Sequence, residues 1–100
     1  MEVGKVAAIF LIGDTEKVDR FCDAEMVVQY YGHDVINPLN FPEIWELTEA
    51  MIDAADTVML LKGWQNSESA SKQYVYAKEQ KKNVIIYSPK SKVDLQKAEE

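Results

Sequence analysis

Four apolar runs, each too short to be a buried helix, punctuate the chain, and segments with helical spacing fill the gaps between them. The first runs from Val6 to Ile12 and ends at Gly13. Val35 and Ile36 form a second, stopped by Asn37-Pro38, because proline cannot donate to a sheet ladder. Thr57 to Leu61 is a third, and Val84 to Tyr87 a fourth, closed by Ser88-Pro89. Uninterrupted apolar runs of this length read as strands covered on both faces. With 100 residues and 47% hydrophobic content, the chain suits one domain with one core.

The intervening segments carry helix signals. Phe21, Ala24, Val27, Val28 and Tyr31 recur at helical spacing, and Gly32 follows where a left-handed cap belongs. Asn40 and Pro42 mark the start of a second helix, with a stripe of Ile44, Leu47, Met51 and Ala55. Ala70, Tyr74 and Ala77 give the inner face of a third, and Lys78, Lys81 and Lys82 follow near its carboxyl end, where positive charge complements the helix dipole.

Strands alternating with single helices imply a parallel sheet with helices on both faces. The expected fold is therefore α/β, a single-domain flavodoxin-like (Rossmann-like) three-layer sandwich with a four-stranded parallel sheet of order 2-1-3-4. Residues 1–88 make up the α/β domain, and residues 89–100 a C-terminal tail or short helix. This order reverses between strands 1 and 3, and open α/β sheets bind ligands outside the carboxyl ends of their strands at such a point. The loops expected to meet there are Gly13-Asp14-Thr15 and Gly63-Trp64-Gln65-Asn66-Ser67.

Composition removes several functions. The net charge is -6 and Arg20 is the sole arginine, so the basic face that duplex nucleic acid needs is missing. No segment approaches the ~20 apolar residues of a membrane span. The lone Cys22, read as part of the apolar face of helix 1, cannot form an internal disulfide, and no secretory leader is evident, so a soluble cytoplasmic protein is expected. Neither a Walker loop nor Gly-x-Gly-x-x-Gly occurs. One histidine and one cysteine give no metal-ligand spacing, so no metal and no cofactor are expected. His33, at the amino end of strand 2, reads as structural.

The candidate site gathers where strand 3 runs into helix 3. Gly13 and Gly63 end apolar strands, where glycine permits either close backbone approach to a ligand or simply a tight turn. Ser67, Ser69 and Ser71 surround the start of helix 3, as ligand contacts or as the helix cap. Trp64 either stacks on a base or packs over that helix. Gln73 shares a face with Ala70 and Ala77, and an amide on an apolar face needs partners, because an unsatisfied one costs roughly 1 to 3 kcal/mol. Glu49 and Asp56 are the better site candidates among the acidic residues of helix 2, with Glu46 and Asp53 read as solvated surface.

Three ordered elements resemble the nucleoside 2-deoxyribosyltransferase-like family. They are Ile9-Phe10-Leu11-Ile12-Gly13, Gly32-His33-Asp34-Val35-Ile36-Asn37-Pro38, and the run from Asp56 to Trp64, followed by Ser67-Glu68-Ser69-Ala70. The resemblance implies cleavage of the N-glycosidic bond of a deoxynucleoside by a helix 3 glutamate that bonds covalently to the sugar. Gln73 holds that glutamate's place, Ser69 that of a turn glycine, and Asp14 stands where proline is common. Through the same resemblance Glu49 is a possible assisting acid, Ser67 lies near the sugar, and assembly into a dimer or larger homo-oligomer is implied.

A carboxylate can stabilise an oxocarbenium-like transition state and bond to the anomeric carbon, and a neutral amide does neither well. The expected function is a nucleoside- or nucleotide-binding protein (a ribosyl ligand) without transferase activity. The alternatives are an N-glycosidase or deoxyribosyltransferase using Asp14, Glu49 or Glu68, and a protein-protein interaction module presenting the Trp64 loop.

Overall fold

A computed structural model describes residues 8–87 and the backbone of 95–97. Its elements run β1 (Ala8–Ile12), α1 (Val18–Tyr30), β2 (Asp34–Ile36), α2 (Trp45–Ala54), β3 (Thr57–Leu60), α3 (Glu68–Glu79), β4 (Asn83–Tyr87) and β5 (Leu95–Lys97). Strands 1 to 4 are parallel in the order 2-1-3-4, as the alternation of segments requires. Val6 and Ala7, expected in the first strand, lie outside the described residues.

The C-terminal segment differs from expectation. In place of a helix or tail, Leu95–Lys97 pairs antiparallel with β4, Tyr87 opposite Leu95 and Ile85 opposite Lys97. Val93 and Leu95 alternate with Asp94 and Gln96 in the sequence, a period of two that favours a strand over a helix. The remainder of the expected tail, 89–94 and 98–100, lies outside the described residues.

Strand periodicity divides the interior into two layers. Phe10, Ile12, Val58 and Leu60 face α2 and α3, where they meet Met51, Ile52, Ala55, Ala70 and Ala77. Ile9, Leu11, Met59 and Leu61 face the other way, against Phe21, Ala24 and Val28 of α1. Each fully buried Ile, Leu or Phe contributes roughly 1.5 to 3 kcal/mol, so the paired central strands β1 and β3 carry most of the core.

Local chemistry fixes the joints. Gly32 takes φ +86°, the left-handed conformation that ends α1. Asn37 is buried and organises the exit from β2: its Oδ1 accepts the Leu39 N–H at 2.9 Å and its Nδ2 donates to Glu25 at 3.2 Å. A 3-10 turn at Pro38–Asn40 follows, and α2 begins only at Trp45, capped by no side chain. Asn40 and Pro42 therefore do not start the helix. Its buried residues are Thr48, Met51 and Ile52, while Ile44, expected in the stripe, is the exposed cap residue.

Two ties between elements replace expected roles. Lys82 does not serve its own helix: its Nζ donates to the carbonyls of Asp53 (3.0 Å) and Ala55 (2.9 Å), closing the end of α2, whose last turn has no basic residue. Asp53, expected as free surface, accepts the Tyr76 hydroxyl at 2.8 Å. Cys22 is exposed on α1, because the buried face is carried by Phe21, Ala24 and Val28.

Gly13 ends β1 under tight packing. A Cβ there would lie 3.1 Å from Leu61 Cβ and 3.2 Å from Phe21 Cζ. Gly13→Ala should therefore lower stability by about 1 to 3 kcal/mol in urea unfolding, the usual cost of overpacking.

The bond to Asp53 favours the neutral phenol, with further upward push from desolvation and from the nearby charges of Asp53, Glu49 and Glu79, and pushes the Tyr76 pKa from 10.0 up to about 12. The folded chain then holds this proton where the unfolded chain releases it. The stabilisation is complete below pH 10 and is lost as pH rises through about 12. Burial also raises the Tyr87 phenol, with the Asp23 charge adding to it, so ultraviolet titration should show two late-ionising tyrosines, of which Tyr76→Phe removes the one titrating near 12.

Candidate ligand site

The carboxyl edge of the sheet holds a cavity of about 140 Å³, lined by Thr15, Pro38, Leu39, Phe41, Pro42, Glu43, Thr48, Met51 and Gln73. Four segments build it. Thr15 comes from the loop after β1, residues 38–43 from the exit of β2, Thr48 and Met51 from α2, and Gln73 from α3. The proline-bracketed stretch between β2 and α2 cannot continue the sheet, and it wraps the rim instead.

Gln73 defines the chemistry. Ala70, Gln73 and Ala77 are the buried residues of α3, the face that their spacing implies. Only 8% of Gln73 is exposed, and its carboxamide bonds to no other described residue. Neither of its polar atoms is sealed from solvent, so part of the exposure that remains lies at the amide. A residue whose donor and acceptor have no partner among the described residues thus lines the cavity. Thr48 brings a hydroxyl whose proton goes to the Ile44 carbonyl at 3.2 Å, leaving its lone pairs free to accept.

The other expected site residues lie elsewhere. Gly13 is packed between Leu61 and Phe21, so its missing side chain serves the core instead of a ligand. Asp14 closes its own loop: Oδ1 accepts the Glu16 N–H at 3.0 Å and its carbonyl accepts the Lys17 N–H at 2.8 Å. Asp56 precedes β3 and so sits at the amino edge, opposite the cavity. There its Oδ2 accepts the Ala8 N–H at 2.9 Å and its own N–H donates to the Ala8 carbonyl at 2.8 Å, pinning the start of β1.

The loop after β3 is held by contacts within the protein. Gly63 adopts φ +85°, and Arg20 crosses from α1 to lie against it, donating from Nη1 to the Lys62 carbonyl at 2.9 Å. Trp64 packs on Tyr74 with ring centroids 4.7 Å apart and joins the α2/α3 layer. Ser67 caps α3, accepting the Ala70 N–H at 3.2 Å, and its hydroxyl lies 3.3 Å from that of Ser69. Glu49 is half-buried on α2 and acts on the Tyr76 hydroxyl through its charge, but is not among the residues lining the cavity.

Of the anticipated site, then, the structure brings together Gln73 and the first loop, through Thr15. Thr48, Met51, Glu43 and the 38–42 segment were missed. The signal available for them was the Pro38 and Pro42 pair at the carboxyl end of a strand, a loop that topology must place on the rim. Among the described residues no cluster of His, Cys, Asp and Glu could hold a metal ion, and no helix is long and apolar enough to cross a membrane.

No curated protein is similar enough to the chain to match it. One family model does match, over residues 10–86, from the middle of β1 to the last residue but one of β4, and so takes in every segment that lines the cavity. The chain belongs to the family described as a domain of unknown function, DUF4406.

Proposed function

We propose that the protein binds a nucleoside or nucleotide, a ribosyl ligand, without transferring its sugar. The observation that carries this reading is Gln73: nine-tenths buried, with a carboxamide that has no partner among the described residues, lining a cavity at the carboxyl edge. The resemblance to nucleoside 2-deoxyribosyltransferases puts their attacking glutamate at this position. An amide there retains hydrogen bonding and loses nucleophilicity.

The glycosidase reading has less support. Asp14 is engaged within its own loop, and neither Glu49 nor Glu68 is among the lining residues. Glu43 is the sole carboxylate there, and it is exposed at the rim. A module presenting Trp64 is also disfavoured, because that ring is already packed on Tyr74. A cytoplasmic setting fits a single, unpaired cysteine.

Titration calorimetry against ribo- and deoxynucleosides and their monophosphates should give heat for at least one class, with no free base released on prolonged incubation at high protein concentration. Silence across the panel overturns the reading, and base release by the unmodified chain replaces it with catalysis.

Self-association belongs to the same reading. Val18, Cys22, Met26 and Tyr30 form an exposed i, i+4 ridge along α1, with Met26 67% and Tyr30 82% exposed. Two such ridges pack against each other at about −50°, the commonest helix crossing, and a two-fold pair uses the same patch on both copies. Light scattering should report a dimer or larger, reduced to monomer by Met26→Lys with Tyr30→Glu.

A further inference from the structure

We infer that the cavity takes the base of the ligand, and that the base is a neutral pyrimidine presented edge-on to Gln73. This rests on the nucleoside reading above and deepens it. The position would then serve recognition of the heterocycle, where the resemblance assigns it to the sugar.

Size comes first. A cavity of about 150 Å³ takes up one benzene molecule, and this one is about 140 Å³, whereas pockets for drug-sized ligands run to roughly 300 Å³ or more. One six-membered ring fits. A purine or a whole nucleoside does not, so the rest of the ligand stays outside on the rim.

Polarity selects which ring. Pro38, Leu39, Phe41, Pro42 and Met51 offer carbon surface. A sugar would press hydroxyls against those walls, at roughly 1 to 3 kcal/mol for each one left unsatisfied. A pyrimidine has two apolar faces and gathers its polarity on its edge. The Gln73 carboxamide, one acceptor and one donor side by side, matches an adjacent N–H and C=O on that edge, in the manner of bidentate amide readout of a base.

Charge excludes an anion inside. No lysine or arginine lines the cavity and Glu43 stands at its rim. Arg20, the chain's sole arginine, is held at the Lys62 carbonyl. A phosphate would have to lie outside.

The test compares uracil, 3-methyluracil, deoxyribose and deoxyribose 5-phosphate by calorimetry, on the unmodified protein and on Gln73→Leu. Uracil should bind, and methylation at N3, which blocks the paired edge, should weaken it about ten- to a hundredfold. Gln73→Leu should weaken uracil similarly and remove the difference between the two rings. The methylated ring tests the claim on unmodified protein, whatever the variant does to folding. Equal binding of uracil and 3-methyluracil, or binding of deoxyribose with none of uracil, overturns this inference while the nucleoside reading stands. No binding by any base, sugar or nucleoside removes both.

Discussion

The structure depends on β1 being buried on both faces between β2 and β3. Its residues have no polar face to turn outward: Phe10 and Ile12 go to one layer, Ile9 and Leu11 to the other. A strand in that position must pair on both edges, and it does, with Val35 and Ile36 on one side and the run from Thr57 to Leu60 on the other. The reversal of strand order beside it follows. So does the placement of every connecting loop, since parallel strands bring their carboxyl ends to one edge. Asp56 secures this strand at its start, and Gly13 lets it end against Leu61 without a side chain in the way.

From that arrangement the cavity inherits an electrostatic character that suits an amide better than an acid. A carboxylate at position 73 would be nine-tenths buried, with no lysine or arginine on the lining and Glu43 at the rim. Desolvation and like charge both favour the protonated form, and a protonated acid is a poor nucleophile. A carboxamide bears no such penalty. The residue type and its surroundings are consistent with each other, and a glutamate at this position would have no lysine or arginine of the lining to stabilise its charge.

The fold was legible in the sequence because its signals are strong and local: four short apolar runs, a glycine at the end of α1, and the Ala70, Gln73 and Ala77 face. Gln73 itself was legible for the same reason, as a polar residue on an apolar stripe. The rest of the site was less so. Thr48 and Met51 depend on where α2 begins, and Pro42 suggested a start three residues too early, whereas a 3-10 turn intervenes and the helix opens at Trp45. Asp56 was misplaced although its position before a strand puts it at the amino edge of a parallel sheet. Gly13 and Gly63 looked like ligand approaches, and the nearest atoms to those spaces come from Leu61 and Arg20 respectively, distant in sequence. Packing between remote segments carries no local signature.

The edges of the sheet differ in what they expose. On one side β5 covers β4, and on the other β2 offers three residues, beginning with Asp34 and cut off by Pro38. So short an edge gives an incoming strand little to hold and an acidic side chain to avoid. Growth by end-to-end addition of sheets, the route to fibrils, is thereby discouraged at β2.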